Sequence, residues 1–319
     1  MNGLRVIQPG ILALIQDAGR FGQHRIGLSN GGPLDPEAFH WANRLCGNPP
    51  GVSAVEITIG GLLLESDLST RLAVTGANTG LQINGIAKPL WQSHPIHPGD
   101  RIELGFATSG TRAYLAVAGG FDIPPSFGSS ATVVREGIGG LNGGRLKEND
   151  TLPCRPSTGS GCLRLAPEFQ PNYCSEACLR VVPGYQNQLF SKIDQRRFFS
   201  SDYRVSEHCD RMGYRLTGPA VHAAVDGILS EGICLGAIQI PTDGQPIVLL
   251  NDRQTIGGYP KIGSVISADL AKLAQLGPGA DVSFTPVSIE EAHTIHCLAR
   301  DRFQRIRPSP VDPEGEADA

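Results

Sequence analysis

Six arginines stand in glycine-containing turns or at the ends of apolar runs: Arg20, Arg112, Arg145, Arg211, Arg215 and Arg253. A guanidinium offers a fork of donors that matches a carboxylate, a phosphate or a developing oxyanion. The densest stretch runs from Cys209 to Val265. There Arg211 and Arg215 bracket Met-Gly-Tyr, and Asn251, Asp252, Arg253, Gln254 and Thr255 crowd the end of the apolar run Ile247–Leu250. Gly257-Gly258 then leads to Tyr259 and Lys261. Loops at strand ends carry chemistry on a rigid scaffold, so this stretch predicts a binding site for a small polar molecule. Salt bridges to the flanking Asp17, Asp35, Asp210 and Asp252 compete with that role, and about half of the arginines are expected to be structural.

Other chemistries find less support. No Gly-Lys-Ser/Thr phosphate loop and no G-x-S-x-G elbow occurs. The run Gly137-Ile-Gly-Gly-Leu-Asn-Gly143 misses dinucleotide spacing by one residue and lies among strands, so a tight surface turn is expected. His94 with His97, and His293 with His296, lack the glutamate of a zinc-protease pattern. Four of the eight cysteines fall between Cys154 and Cys178, but not in close C-x2-C pairs. Reduced thiols are expected there rather than a metal site.

These residues need a scaffold. The 40 glycines and 24 prolines, with only 6% aromatics, suit many short strands joined by tight turns. Strands are expected at Val55–Ile59, Leu62–Glu65, Arg71–Thr75, Arg101–Leu104 and Arg112–Val117, and later at Leu179–Val182, Ala237–Ile240, Pro246–Leu250, Gly263–Ile266 and Val282–Thr285. Asp35 and Pro36 open a helix that Gly47 stops. A short helix is expected over Asp269–Leu276, and Ser288 with Glu291 forms a capping box for a last one. The expected organisation is a β domain over 1–153, a linker or long loop over 154–178, a second β domain over 179–307 and a disordered acidic tail over 308–319. A net charge of −4 gives no basic field for nucleic acid. No apolar run reaches the ~18–20 residues that span a bilayer, and a soluble cytoplasmic protein is expected.

Several blocks carry a family resemblance. They are Gln16-Asp17-Ala-Gly19-Arg20-Phe-Gly22 with Gly32-Pro-Leu-Asp35, then Ala42-Asn43-Arg44-Leu45, Glu56-Ile57-Thr58-Ile59-Gly60-Gly61 and Arg112–Gly120. Asp210-Arg211-Met212-Gly213-Tyr214-Arg215-Leu216 and the block from Ile238 to Pro260 follow. In this order they resemble allophanate hydrolase subunit 2, also called the biotin-dependent carboxyltransferase or Kip-antagonist family. The likeness spans roughly residues 3–290, with departures at Asn30–Leu34, Gly143-Gly144-Arg145 and Asn149-Asp150. It implies a mainly β fold with two cyclophilin-like β-barrel domains in tandem and a few short helices.

The resemblance also implies function. Members similar to the C-type subunit of the ATP-dependent 5-oxoprolinase open 5-oxoproline to glutamate. They act with a B-type partner, the allophanate hydrolase subunit 1 or kinase-inhibitor homologue, and with a separate A-type subunit. Others form half of a urea carboxylase transferase and use biotin carried by another protein. One binds a kinase inhibitor as an antagonist. The preferred expectation is a 5-oxoprolinase subunit, inactive alone, with the site for ATP and Mg shared with its partner.

The common chemistry is a planar amide whose oxygen gains negative charge. On that basis Arg211, Arg215, Asp252, Arg253 and Lys261 are the catalytic candidates. Arg20, Asp35, Gln239, Gln245, Gly257, Gly258 and Tyr259 are the substrate-binding candidates.

Overall fold

The computed structural model describes residues 2–157, 159 and 161–311. The chain forms two compact units. The first holds the residues up to Phe21, Gly31–Tyr173 and the chain from Ile306 on; the second holds Gly22–Asn30 and Cys174–Arg305. The fold is mainly β, with four α-helices among the described residues, at Pro36–Leu45, Lys192–Ser200, Ser267–Ala274 and Ile289–Arg305.

The first unit contains two large antiparallel sheets and a small two-stranded one. One has six strands, in the order Thr151–Pro153, Gly3–Pro9, Gly60–Ser66, Arg101–Phe106, Leu81–Ile83 and Ile86–Lys88. The other has five, in the order Leu12–Gln16, Ala54–Thr58, Arg112–Val117, Thr70–Gly76 and Ser93–Ile96. Alternating burial along Gly60–Ser66 gives one apolar face, whereas all six residues of Arg112–Val117 are buried. Leu4, Val6, Ile57, Leu62, Leu64, Val74, Leu104 and Leu115 belong to one continuous core. Gly60 is indispensable where these strands approach: its φ is +117° and a Cβ there would sit 2.0 Å from the Gly105 carbonyl oxygen. The helix Pro36–Leu45 begins as its sequence dictates, with Asp35 Oδ1 accepting from the Ala38 amide at 3.0 Å and proline in the first turn.

The second unit is built on a closed barrel of seven strands. The order is Glu176–Pro183, Lys261–Val265, Ala237–Gln239, Ile247–Leu249, Gly213–Thr217, Tyr203–Cys209 and Asp281–Pro286. Closure is made by a parallel pairing of Glu176–Pro183 with Asp281–Pro286. A separate two-stranded ribbon, Glu231–Gly232 with Ile256–Gly257, lies apart from the barrel ladder. The capping box forms as expected: Glu291 accepts from the Ser288 amide at 2.7 Å, and Ser288 Oγ accepts from the Glu291 amide at 3.1 Å.

Most expected strands are present with shifted ends. The hairpin from Tyr203 to Thr217 and the helix Lys192–Ser200 lie outside the expected elements, because their sequences are polar. Between 154 and 178 the chain forms a short strand, Cys162–Arg164, which pairs with Ser309–Val311. That pairing gives structure to the first residues of the segment expected to be disordered; 312–319 lie outside the described residues.

Candidate functional site

Register places the candidate side chains. Adjacent residues on paired antiparallel strands share a face. Arg215 pairs with Ile247, Ile247 with Gln239, and Gln239 with Lys261. Arg215, Ile247 and Gln239 therefore form one transverse row across three neighbouring barrel strands, and a slip in register on the fourth sets Lys261 opposite Gln239. The alternate row, Tyr214, Val248 and Ile238, occupies the opposite face, where all three are buried.

The row borders a cleft of about 410 Å³ in the second unit. Its lining includes Arg215, Gln239, Gln254, Tyr259, Met212 and Ile247. Ile233, Ala237 and Leu249, with Ile247 packed against them, form a small apolar cluster beside it. Arg215 is exposed and has no ion-pair or hydrogen-bond partner among the described residues. Gln239 is 2% exposed, and its Nε2 makes no hydrogen bond. Tyr259 is 42% exposed at the cleft. An unpaired guanidinium and an unpaired amide in one concave, partly apolar site suit a small polar ligand.

Arg211 is positioned differently. Asp210 Oδ1 accepts from the amides of Met212 and Gly213 at 2.7 and 3.1 Å, an Asx turn that reverses the chain between the hairpin strands. The turn carries Arg211 into a buried place, where its Nε and Nη2 grip Asp252 at 2.9 and 3.0 Å. Arg253 donates to the carbonyls of Ile233 and Leu250 at 3.1 and 3.2 Å, and burial lowers its pKa from the usual arginine value. The Arg253 carbonyl in turn accepts from Ser29 Oγ at 2.9 Å, which ties the 22–30 excursion to this loop.

Beside the Gln239 end of the row, Lys261 Nζ lies 2.6 Å from the Glu231 carboxylate, on a side chain only 10% exposed. Gln186 joins the group: its Nε2 donates to Glu231 at 2.7 Å and to the Tyr185 hydroxyl at 3.0 Å, while its Oε1 accepts from the Lys261 amide at 2.8 Å. Lys261, followed by the Tyr185 hydroxyl, holds the Glu231 carboxyl below its usual value.

The remaining candidates stand elsewhere. Gln245 is folded onto Gly218, accepting from its amide at 2.8 Å and donating to its carbonyl at 3.2 Å. Arg20 and Asp35 lie in the first unit. Arg20 is fully buried and donates to the carbonyls of Ser126, Ser129 and Ala131 at 3.0, 3.3 and 3.0 Å. Asp35 caps a helix and accepts from Tyr173 at 2.8 Å. Gly257 lies in the ribbon opposite Glu231, and the Gly258 carbonyl accepts from the Ile228 amide at 2.8 Å.

The comparisons with known proteins agree with this architecture. The profile of the carboxyltransferase domain, subdomains A and B, matches residues 26–286. The chain belongs to this carboxyltransferase-domain family. It is 38% identical to the C-type subunit of 5-oxoprolinase from Escherichia coli over 91% of this chain and 93% of that one. It is 34% identical to the C-type subunit of 5-oxoprolinase from Haemophilus influenzae over 88% of this chain and 90% of that one. The crystal structure of Kluyveromyces lactis urea carboxylase superposes with a TM-score of 0.88 at 29% identity. That match covers 96% of this chain but only 29% of the carboxylase.

The carboxyltransferase-domain match spans the whole cleft, including residues that sequence reasoning passes over. Gln254 stands out in the sequence only as one of a polar cluster, and Glu231, Gln186 and Tyr185 do not stand out at all. Tyr185 and Gln186 precede the arginine block, on a short 3-10 helix, and Glu231 lies within it on the ribbon; the fold brings Gln186 to the Lys261 amide and Glu231 to its ammonium. No helix among the described residues is long and apolar enough to cross a membrane. Among the described residues no group of three or more His, Cys, Asp or Glu side chains could hold a metal ion. No cysteine among the described residues is in a disulfide, and burial pushes the Cys46 thiol up to about 12.

Proposed function

We propose that this chain is a subunit of an ATP-dependent 5-oxoprolinase and that its cleft receives 5-oxoproline. The observation that carries the reading is the unpaired Arg215 on the same transverse row as the buried, unpaired amide of Gln239, with only Ile247 between them. 5-Oxoproline presents two groups, a carboxylate and a lactam, and this row offers a complement to each. Arg215 binds the carboxylate through charge-assisted hydrogen bonds. Gln239 faces the lactam, and Ile247 and Leu249 pack on the ring. Tyr259 closes the rim. The 38% identity to the C-type 5-oxoprolinase subunit of E. coli supports the same reading.

The further candidates act on the scaffold or on proton movement in this proposal. The Arg211–Asp252 pair and Arg253 hold the 250–255 loop beside the cleft. Arg20 and Asp35 hold the first unit. Lys261 and Glu231 place a charge pair next to Gln239, where a proton can be moved as the ring nitrogen departs.

ATP with Mg would supply the activation of the lactam oxygen. The described residues of this chain include neither a phosphate loop nor a metal-binding cluster, so the proposal places that site with partners, a B-type and a separate A-type subunit. The chain co-purified with those partners should hydrolyse ATP only when 5-oxoproline is added. The likeness to a urea carboxylase favours a second reading, half of a carboxyltransferase served by a biotin carrier. Turnover of urea with a carboxylated biotin carrier, and none of 5-oxoproline, would select that reading.

A further inference from the structure

We propose that the side-chain amides of Gln239 and Gln254 form a paired-donor site for the carbonyl oxygen of a planar amide ligand. Gln254 is thereby assigned a direct role in binding, and Gly257 is the gap that admits both amides. The substrate identity rests on the 5-oxoprolinase reading; the paired-donor geometry does not.

A Cβ built on Gly257 would lie 2.9 Å from Gln239 Nε2, 3.4 Å from Gln254 Nε2 and 2.6 Å from Ile233 Cδ1. Two amide nitrogens from different segments thus converge on one point beside a residue with no side chain. Gln239 reaches it from a barrel strand, and Gln254 from the loop after Ile247–Leu249. Both line the cleft. Gln239 Nε2 is buried and makes no hydrogen bond.

A buried N–H with no acceptor is costly, and native proteins seldom keep one without a use. Ile233, Ala237 and Leu249 pack together on one side of it. A ligand oxygen would meet donors shielded there from water, where hydrogen bonds and oxyanion stabilisation are stronger. Arg215 stands on the same row, separated from Gln239 by Ile247. A ligand with a carboxylate at one end and an amide carbonyl at the other can therefore engage Arg215 and the amide pair together. The Gln239 and Gln254 side chains are neutral, so the site prefers a carbonyl oxygen that gains charge over a permanent anion.

Calorimetric titration tests this on the full chain with its partner subunits, without nucleotide. The probes are 5-oxoproline and cyclopentanecarboxylate, which keeps the ring and carboxylate but lacks the lactam. The wild-type protein should bind 5-oxoproline at least ~10-fold more tightly, the size of one to two hydrogen bonds. Gln239→Leu and Gln254→Leu should each erase most of that preference and leave cyclopentanecarboxylate binding unchanged. Gly257→Ala should do the same by pushing Gln239 aside. Gln254 is half-buried, so its variant reports even where Gln239→Leu does not fold.

The proposal is overturned if both glutamine variants keep the preference, or if both probes weaken equally. Urea, tried as a third probe, separates this inference from the functional reading. Urea binding that depends on Gln239 and Gln254, with no binding of 5-oxoproline, keeps the paired-donor site and rejects the 5-oxoprolinase reading. Failure of all three probes rejects both.

Discussion

Arg211 and Asp252 are joined twice, although they are 41 residues apart in the chain. The guanidinium grips both carboxylate oxygens at 2.9 and 3.0 Å, and the Asp252 amide donates to the Arg211 carbonyl at 2.9 Å. Both side chains are less than a tenth exposed. The pair therefore fixes the loop that leads to Gln254 against the hairpin turn that leads to Arg215.

Breaking this pair should unfold more than it disables. Arg211→Ala or Asp252→Ala leaves a buried charge without its partner, a loss of about 3–5 kcal/mol. Chemical denaturation of each variant checks the size. The double variant should lose less than the sum of the two single losses. Single losses below about 1 kcal/mol would show that the pair does not fix the loop.

Arg215 should behave in the opposite way. It is exposed on a strand and unpaired among the described residues, so Arg215→Gln should change stability by less than about 0.5 kcal/mol. Hydrogen bonds to a charged group contribute about 1.5–3 kcal/mol, so KM for a carboxylate substrate should rise about 10- to 100-fold. Steady-state kinetics beside a melting curve separates the two effects.

Asp269 should govern part of the acid limb. Its carboxyl is fully buried, and burial alone would raise its pKa. Hydrogen bonds from the Arg180 side chain, from Lys272 and from the Arg180 amide outweigh burial and lower it. The ionised form is thus favoured in the folded state. Its stabilisation is complete above the unfolded carboxylate value, about 3.9, and is lost as pH falls through the lower folded value. Asp269→Asn should be less stable at pH 7 and should lose less on acidification than the wild type. Urea denaturation at neutral pH and below about pH 4 measures both.

The Ser288–Glu291 box gives a smaller check. Ser288→Ala should cost about 1 kcal/mol. Hydrogen exchange should then quicken in the first turn of Ile289–Arg305, while the barrel strands keep their protection.

The elements of the two units are unevenly legible in sequence. Arg112–Val117 announces itself because every residue is buried and the run is apolar apart from its first member. Gly213–Thr217 does not, because one face carries Arg215 and Thr217 into solvent and the turn before it depends on the Asp210 side chain. Arg211 and Arg215 look alike in sequence, each close to glycine and acid. The burial of one and the exposure of the other arise from the hairpin twist and from a partner far along the chain. Gln239 and Gln245 are similarly alike, yet Gln245 satisfies itself on Gly218 while Gln239 is left open to the cleft. The Glu231–Lys261 pair cannot be read at all, since it depends on the ribbon lying against the strand that begins at Lys261.

The most direct test of the account is 5-oxoproline-dependent phosphate release by this chain assembled with its partner subunits, wild type beside Arg215→Gln. The wild type should release phosphate and glutamate in equal amounts. The KM for 5-oxoproline should rise about 10- to 100-fold in Arg215→Gln, with ATP hydrolysis low in both when 5-oxoproline is absent. Phosphate release that ignores 5-oxoproline, or an Arg215→Gln variant with wild-type KM, would contradict it.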